Sequence, residues 1–330
     1  MPTNWNLLGH AWAVALLTAH LQRGAPRHAY LLTGPQGVGR RTLALRYAQA
    51  LNADHPDQPG DFNPDHIRSR QIERMQHPDL FIVERQAGDR DIKVDAVRAL
   101  QHSLAFAPYE APYRVAVLRN FENASPSAQN AMLKTLEEPP SRVVLLVTAE
   151  SAEALLPTIA SRCEVLRLRS LALDVVSKGL QDQWDLPPEQ AELLAHVSGG
   201  RPGFALHLHH HPEILAARST WLDEQQSLLS APRRKRFDYA EGLAKDKDSL
   251  QAVLVVWLSF WRDVLLRTAQ AAAPLANPDR TREIEQISGQ LDLTTAQSIV
   301  AAIERTLQLI KSNANARLAT EVLLLDLPSL

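Results

Sequence analysis

Short uninterrupted apolar runs alternate with helix-periodic segments through the first half of the chain, and only helical periodicity persists in the second. Residues 115–118 and 143–147 are apolar throughout, the pattern of strands covered on both faces, and a helical segment separates them. This is the signature of a βαβ unit in a parallel sheet. Ser125 is placed to cap the intervening helix with Pro126 at its first position. Ala128, Ala131, Met132, Thr135 and Leu136 form its apolar stripe, and Pro139 and Pro140 stop it. Runs at 29–33 and 80–83 predict two further strands. The second precedes a helix over 96–107 that carries Val97, Leu100 and Leu104 on one face, with Asp95 as its expected cap. Residues 4–24 predict an opening amphipathic helix with Trp12, Leu16 and Leu17 turned into the core and Gly24 as its stop. From Leu171 onward only helices are expected: 171–184, 188–197, a turn at 198–203, then a helical remainder. In that remainder Val253, Val256, Trp257, Phe260, Trp261, Val264 and Leu265 make one broad apolar face.

Composition narrows the class. At 330 residues the chain has room for two to three domains, each with a sizeable core. A net charge of −2 argues against a protein that coats nucleic acid, although it leaves local basic faces open. One cysteine excludes an internal disulfide framework. With no apolar run reaching the roughly 18 residues of a membrane span and no secretory leader pattern, a cytoplasmic protein without a membrane segment is expected.

The strand at 29–33 leads directly into Gly34-Pro35-Gln36-Gly37-Val38-Gly39-Arg40-Arg41-Thr42 and then into a helix over about 42–51. Strand, glycine loop and helix come in the order of a phosphate-binding loop. Such a loop needs glycines to bring backbone N–H groups onto phosphate, a lysine at the β/γ-phosphates and a hydroxyl on Mg²⁺. Gly34, Gly37 and Gly39 keep the frame, but Arg40 stands in the lysine's place and Arg41 in the hydroxyl's. Arginine is bulkier and planar and does not replace a compact ammonium inside the loop.

Residues 132–140 (MLKTLEEPP) and Ser161-Arg162-Cys163 closely resemble the bacterial DNA polymerase III clamp-loader subunits, AAA+ proteins that open the sliding clamp and place it on primed DNA. The resemblance implies an α/β AAA+ P-loop module with a parallel sheet, an all-α lid and an all-α C-terminal collar, here residues 1–169, 170–211 and 212–330. In the family's gamma/tau motors an Asp-Glu pair follows the strand at 115–118; here Arg119 and Asn120 stand there. A degraded loop and lost carboxylates beside an intact SRC narrow the resemblance to the delta-prime branch, a stator rather than a motor. It runs over essentially the whole chain and is strongest over 26–203.

That branch implies no intrinsic activity, no nucleotide held by this chain, and Arg162 acting as an arginine finger on a neighbouring subunit's ATP. It places Thr148 at the sensor 1 position and Arg201 at sensor 2. The implied partners are gamma/tau and delta subunits in a heteropentamer, with the sliding clamp and primer–template DNA reached through the complex. Two alternatives stay open, an ATP-hydrolysing motor and an independent DNA-binding protein. Turnover with Mg·ATP would mark the first, and salt-dependent binding of primed DNA the second.

Other clusters are given ordinary readings. The resemblance implies four zinc-binding cysteines within residues 52–78 in many relatives; this chain has none there, so no zinc is expected. Asp54, His55, Asp57, Asp61, Asp65 and His66 lack a fixed ligand spacing and are taken as a solvated loop. His207, His209, His210 and His211 are taken as a solvated linker ending at Pro212, and Arg233-Arg234-Lys235-Arg236 as a solvated helix start or loop. Cys163 is expected to be a small packing residue.

Overall fold

The computed structural model describes residues 5–54, 58–312 and 314–329. It divides into two compact units, Met1–Gly179 with Gly200–Phe204, and Leu180–Gly199 with Ala205–Leu330. The expected lid segment, 170–211, contributes residues to both.

In chain order the first unit is built from α1 (Ala11–Gln22), β1 (Ala29–Thr33), α2 (Arg40–Leu51), α3 (Ile67–Glu73), β2 (Leu80–Val83), α4 (Val94–Leu104), β3 (Arg114–Leu118), α5 (Pro126–Glu137), β4 (Val143–Ala149), α6 (Pro157–Ala160) and β5 (Glu164–Arg167). All strand pairings are parallel, in the order β2-β3-β4-β1-β5. Strand alternation divides the interior in two. Tyr30 and Leu32 face a core with α1 and α2, whereas Ala29 and Leu31 face a second with α4 and α5. Every residue of β1 and β4 is buried, as their unbroken apolar runs require. The Ser125 hydroxyl accepts from the Ala128 N–H at 3.2 Å, Pro126 opens α5, and Ala128, Met132 and Leu136 lie in the core.

Three local expectations are corrected. The opening helix begins at Ala11, not near residue 4, and turns Ala13, Val14 and Leu17 inward. In that register Trp12 falls in the exposed first turn and is 51% accessible. The interior indole is Trp5, whose Nε1 donates to the Gly60 carbonyl at 2.8 Å. The helix expected over 96–107 starts two residues earlier, so Lys93 holds the cap position and Asp95 sits inside the first turn, where its charge still suits the positive helix end. The helix expected from Thr42 begins at Arg40, which Gly39 precedes in a left-handed conformation.

Asp79, fully buried ahead of β2, organises the turn that leads into β3. Its Oδ1 accepts from the Tyr109 N–H at 2.7 Å, and its Oδ2 from the Glu110 and Ala111 N–H groups at 2.9 and 3.0 Å. Burial by itself would raise this carboxyl's pKa, but the three N–H donors and Arg114 outweigh it and hold the value below the usual carboxylate range. The stabilisation is therefore complete above the unfolded-state pKa of about 4 and is lost as pH falls through the lower folded-state value. Asp79→Asn turns an amide donor toward N–H donors and is expected to cost about 2–3 kcal/mol at pH 7. Urea midpoints should show the gap between variant and parent closing below about pH 4.

After β5 the chain continues as α7 (Leu173–Trp184), α8 (Pro188–Val197), α9 (Pro202–His210), α10 (Pro212–Leu229), α11 (Arg233–Leu243), α12 (Lys247–Thr268), α13 (Thr281–Ser288), α14 (Leu293–Lys311) and α15 (Ala316–Asp326). The second unit's core gathers around α12, from which Val253, Trp257, Trp261 and Val264 are fully buried. By length and composition α12 could cross a membrane, contrary to the sequence expectation, but its apolar face is covered by α10, α13 and α14. A buried polar network closes one side. Asp263 accepts from the Ala276 and Asn277 N–H groups, and Arg218 forks onto Asp279 at 2.8 and 2.9 Å.

The two polar clusters of this half differ from expectation. His207, His209 and His210 form the last turn of α9 rather than a linker, because Ala205 and Leu208 give that segment a buried face. Of the basic run, Arg233, Arg234 and Lys235 are exposed, but Arg236 is 4% accessible. Its guanidinium donates to the carbonyls of Leu229, Leu324, Leu327 and Pro328 at 2.8–3.1 Å.

Candidate functional site: a degenerate phosphate loop and an edge arginine

The loop between β1 and α2 has the backbone of a phosphate cradle. Gly34 and Gly37 take φ values of 141° and 83°. A Cβ on Gly34 would lie 2.2 Å from the Leu168 carbonyl oxygen, and one on Gly37 2.6 Å from Phe204. Both positions therefore need glycine for conformation and for space. Pro35 is exposed at the tip, and Gly39 starts α2 without a side-chain cap.

The side chains do not match a magnesium–nucleotide site. Arg40 is 6% accessible, and its Nη2 donates to Asn120 Oδ1 at 3.2 Å, so the guanidinium is bound to a residue standing where a metal ligand is required. Burial lowers the Arg40 pKa, while Glu122 and Glu150 oppose that shift. Arg41 points elsewhere, onto Met75 Sδ at 3.7 Å, and Thr42 is exposed. Arg119 pairs with Glu84. Asn120, with φ 48°, donates its N–H to Thr148 Oγ1 at 2.8 Å, so Thr148 ties the ends of β3 and β4 together.

Glu122 is a residue that sequence reasoning missed. It lies in a single 3₁₀ turn after β3, with its Oε2 buried and unpartnered, and burial raises its pKa. The Arg40 Nη1 is likewise buried without a partner. The two charges attract, and Arg40 thus supplies the positive charge that a cation would otherwise bring to this carboxylate. A strand-end acid pair would occupy the places of Arg119 and Asn120, and Glu122 lies beyond them in the chain. On the loop's other side the Arg201 guanidinium covers the Phe204 ring at 4.5 Å and donates to the Gln36 carbonyl at 3.4 Å.

Arg162 occupies a different place. It follows α6 at an exposed edge, where Nη1 donates to the Thr158 carbonyl at 3.0 Å and Nη2 pairs with Glu137 Oε1 at 2.7 Å. The Ser161 hydroxyl also donates to Thr158 O, at 3.2 Å. Cys163 is half-buried, and burial pushes its thiol up to about 12, so at neutral pH it stays protonated and packs. Glu137 is a second residue missed from sequence; its ion pair with Arg162 joins the end of α5 to the end of α6 across the intervening strand β4.

Among the described residues no group of three or more His, Cys, Asp or Glu side chains is arranged to hold a metal. Asp54 lies 3.8 Å from His66 and 3.8 Å from Arg68, and Asp65 pairs with Arg70; His55 and Asp57 lie outside the described residues.

Residues 9–172 match the family model described as DNA polymerase III, delta subunit, and residues 212–328 match the model of that subunit's C-terminal region. The Pseudomonas aeruginosa DNA polymerase III subunit delta' is 30% identical, over 97% of this chain and 98% of its own length. The chain belongs to the DNA polymerase III delta-prime family. The delta-prime subunit of Bacillus subtilis is 26% identical over 94% of each chain. The Salmonella typhimurium tau subunit is 27% identical over 98% of this chain but only 42% of its own length. This delta-prime family member thus matches these delta-prime relatives nearly end to end, and the tau relative over less than half of that protein's length. The expected architecture, a parallel P-loop sheet followed by helices, is the one it has.

Proposed function

We propose that this chain is a non-catalytic subunit of a clamp loader, hydrolysing no ATP itself and offering Arg162 in trans to nucleotide held by a neighbouring subunit. The observation that carries this reading is the Arg40–Asn120 bond inside the phosphate loop. A guanidinium sits among the positions that should supply magnesium ligands, so the pocket holds its own cation and offers no hydroxyl or strand-end carboxylate to a metal. Nucleotide binding by this loop is accordingly not expected.

Arg162 has the opposite environment. Its fork is at the surface, and its partner Glu137 is half-exposed, so the ion pair is worth no more than about 1 kcal/mol and exchanges readily for a phosphate. A guanidinium against a γ-phosphate neutralises charge as it develops in the transition state.

The partners would be gamma/tau and delta subunits in a heteropentamer, acting in the cytoplasm on the sliding clamp and primed DNA. The second unit supports a packing role. Leu309 on α14 and Leu318 and Val322 on α15 are each more than 40% accessible and line a 370 Å³ groove between those helices. The stripe of Leu309, Leu318 and Val322 that lines this groove suits a neighbouring helical domain.

Two measurements test the proposal. The purified chain with Mg·ATP is expected to show no turnover; turnover that disappears on changing Arg40 would assign the chain to the motor class. In a reconstituted complex Arg162→Ala is expected to lower ATP turnover without loss of assembly, and unchanged turnover would remove the trans-acting role.

A further inference from the structure

Trp12 is a large aromatic side chain that joins none of the hydrophobic cores. Tryptophan is largely buried on average, yet this indole is 51% accessible in the first turn of α1. It lines a 420 Å³ cavity together with His10, Arg167, Arg169, Ser170 and Leu171. That volume lies within the roughly 300–1,000 Å³ of small-ligand sites. None of the phosphate-loop residues 34–41 lines it, and its wall meets that loop through His10 and the Val38 carbonyl.

The chemistry of the lining is specific. Arg167 and Arg169 alternate with the buried Leu168, whose N–H donates to the Thr33 carbonyl at 2.7 Å, so the extended chain turns both arginines to the same side. Arg167 reaches only Glu153, at 3.9 Å, both side chains being mostly exposed, and Arg169 makes no ion pair with any described residue. Both guanidiniums are thus available to an anion. His10 is 6% accessible, and its Nε2 lies 3.1 Å from the Val38 carbonyl. A carbonyl only accepts, so Nε2 carries the proton, and burial lowers the ring's pKa and keeps it neutral. The first turn of α1 contains no acidic residue to repel an anion.

We propose that this cavity binds a nucleoside phosphate unit, with the base stacked on Trp12 and the phosphate held by Arg167 and Arg169. An indole face is a sequence-tolerant platform for any base, and paired arginines fit phosphate oxygens. A single such site in a chain of net charge −2 grips one unit of a ligand without coating it. The unit belongs either to a single DNA strand or to a free nucleotide.

The test uses the full chain and a fluorescein-labelled oligothymidylate, read by anisotropy across a salt series, with AMP as competitor. Trp12→Ala is expected to weaken binding about tenfold, and Trp12→Phe to recover most of it. Because the indole is half-exposed, the alanine variant should remain folded. Charge reversal, Arg167→Glu with Arg169→Glu, is expected to weaken binding and to reduce the salt slope by about 0.7 for each phosphate no longer neutralised. Binding of the oligonucleotide that AMP does not displace identifies a strand as the source; displacement by AMP identifies a free nucleotide, and either supports the site. Three results would overturn it: no binding of either probe, equal affinity in Trp12→Ala, or displacement by a polyglutamate peptide of matched charge.

Discussion

Replacing Arg162 with alanine is expected to slow ATP hydrolysis by an assembled clamp loader while leaving the complex intact. A trans-acting arginine accelerates phosphoryl transfer by roughly 10³–10⁵ at the site it serves. A loader with several ATP sites keeps the others, so steady-state turnover should fall by that one site's share. Pre-steady-state phosphate release would reveal the full effect there. Assembly should persist, because the substitution removes only a surface ion pair with Glu137 and a bond to the Thr158 carbonyl. Arg162→Lys keeps the charge but loses the planar fork, and an intermediate rate is expected. The comparison needs clamp and primed DNA present, with size-exclusion profiles confirming equal occupancy of variant and parent.

Arg236→Ala is expected to destabilise the helical unit strongly, on the scale of emptying a core position. The buried guanidinium satisfies four carbonyls, on Leu229, Leu324, Leu327 and Pro328, and so ties the C-terminal end of α15 to the start of α11. Truncation leaves those acceptors in an interior with no other donor at hand. Each unsatisfied group costs about 1–3 kcal/mol, less where water enters, and the sum is expected to be about 4 kcal/mol. Arg236→Lys can reach only some of the four and should recover part of the loss. Denaturant unfolding followed by tryptophan fluorescence reports on this unit through Trp257 and Trp261, and the two-unit chain calls for separate transitions rather than one midpoint. A change within about 0.5 kcal/mol would place Arg236 among ordinary surface residues.

The parallel sheet was legible because β1, β3 and β4 are apolar at successive positions, and few other structures tolerate that pattern. Helix α5 was legible to the residue at its start, since Ser125 and Pro126 are unambiguous cap chemistry. Trp12 was misplaced because helical periodicity fixes which residues share a face, not which face turns inward, and a start at Ala11 rotates the indole outward. Arg236 was misread for a related reason. Three exposed basic neighbours make a run look solvated, whereas burial of the fourth depends on the carbonyls of Leu324 and Leu327, far along the chain. At the phosphate loop the missing lysine and hydroxyl could be read directly. The bond from Arg40 to Asn120, and the nearby charge of Glu122, required the strands to be brought together first.

Helix α12 bears on how the chain is made. The helix is long and apolar enough to suit a membrane, and one of the helices that covers its buried face, α14, ends only at Lys311. At about 5–20 residues per second, a ribosome exposes that face for several seconds before α14 is complete. When Thr268 is added, only α10 and α11 of the helices packed on it have already been synthesised, and α13 follows at Ser288, well before α14 is complete. The nascent helical unit is therefore most vulnerable to aggregation, and most in need of a chaperone, between the translation of Thr268 and that of Lys311.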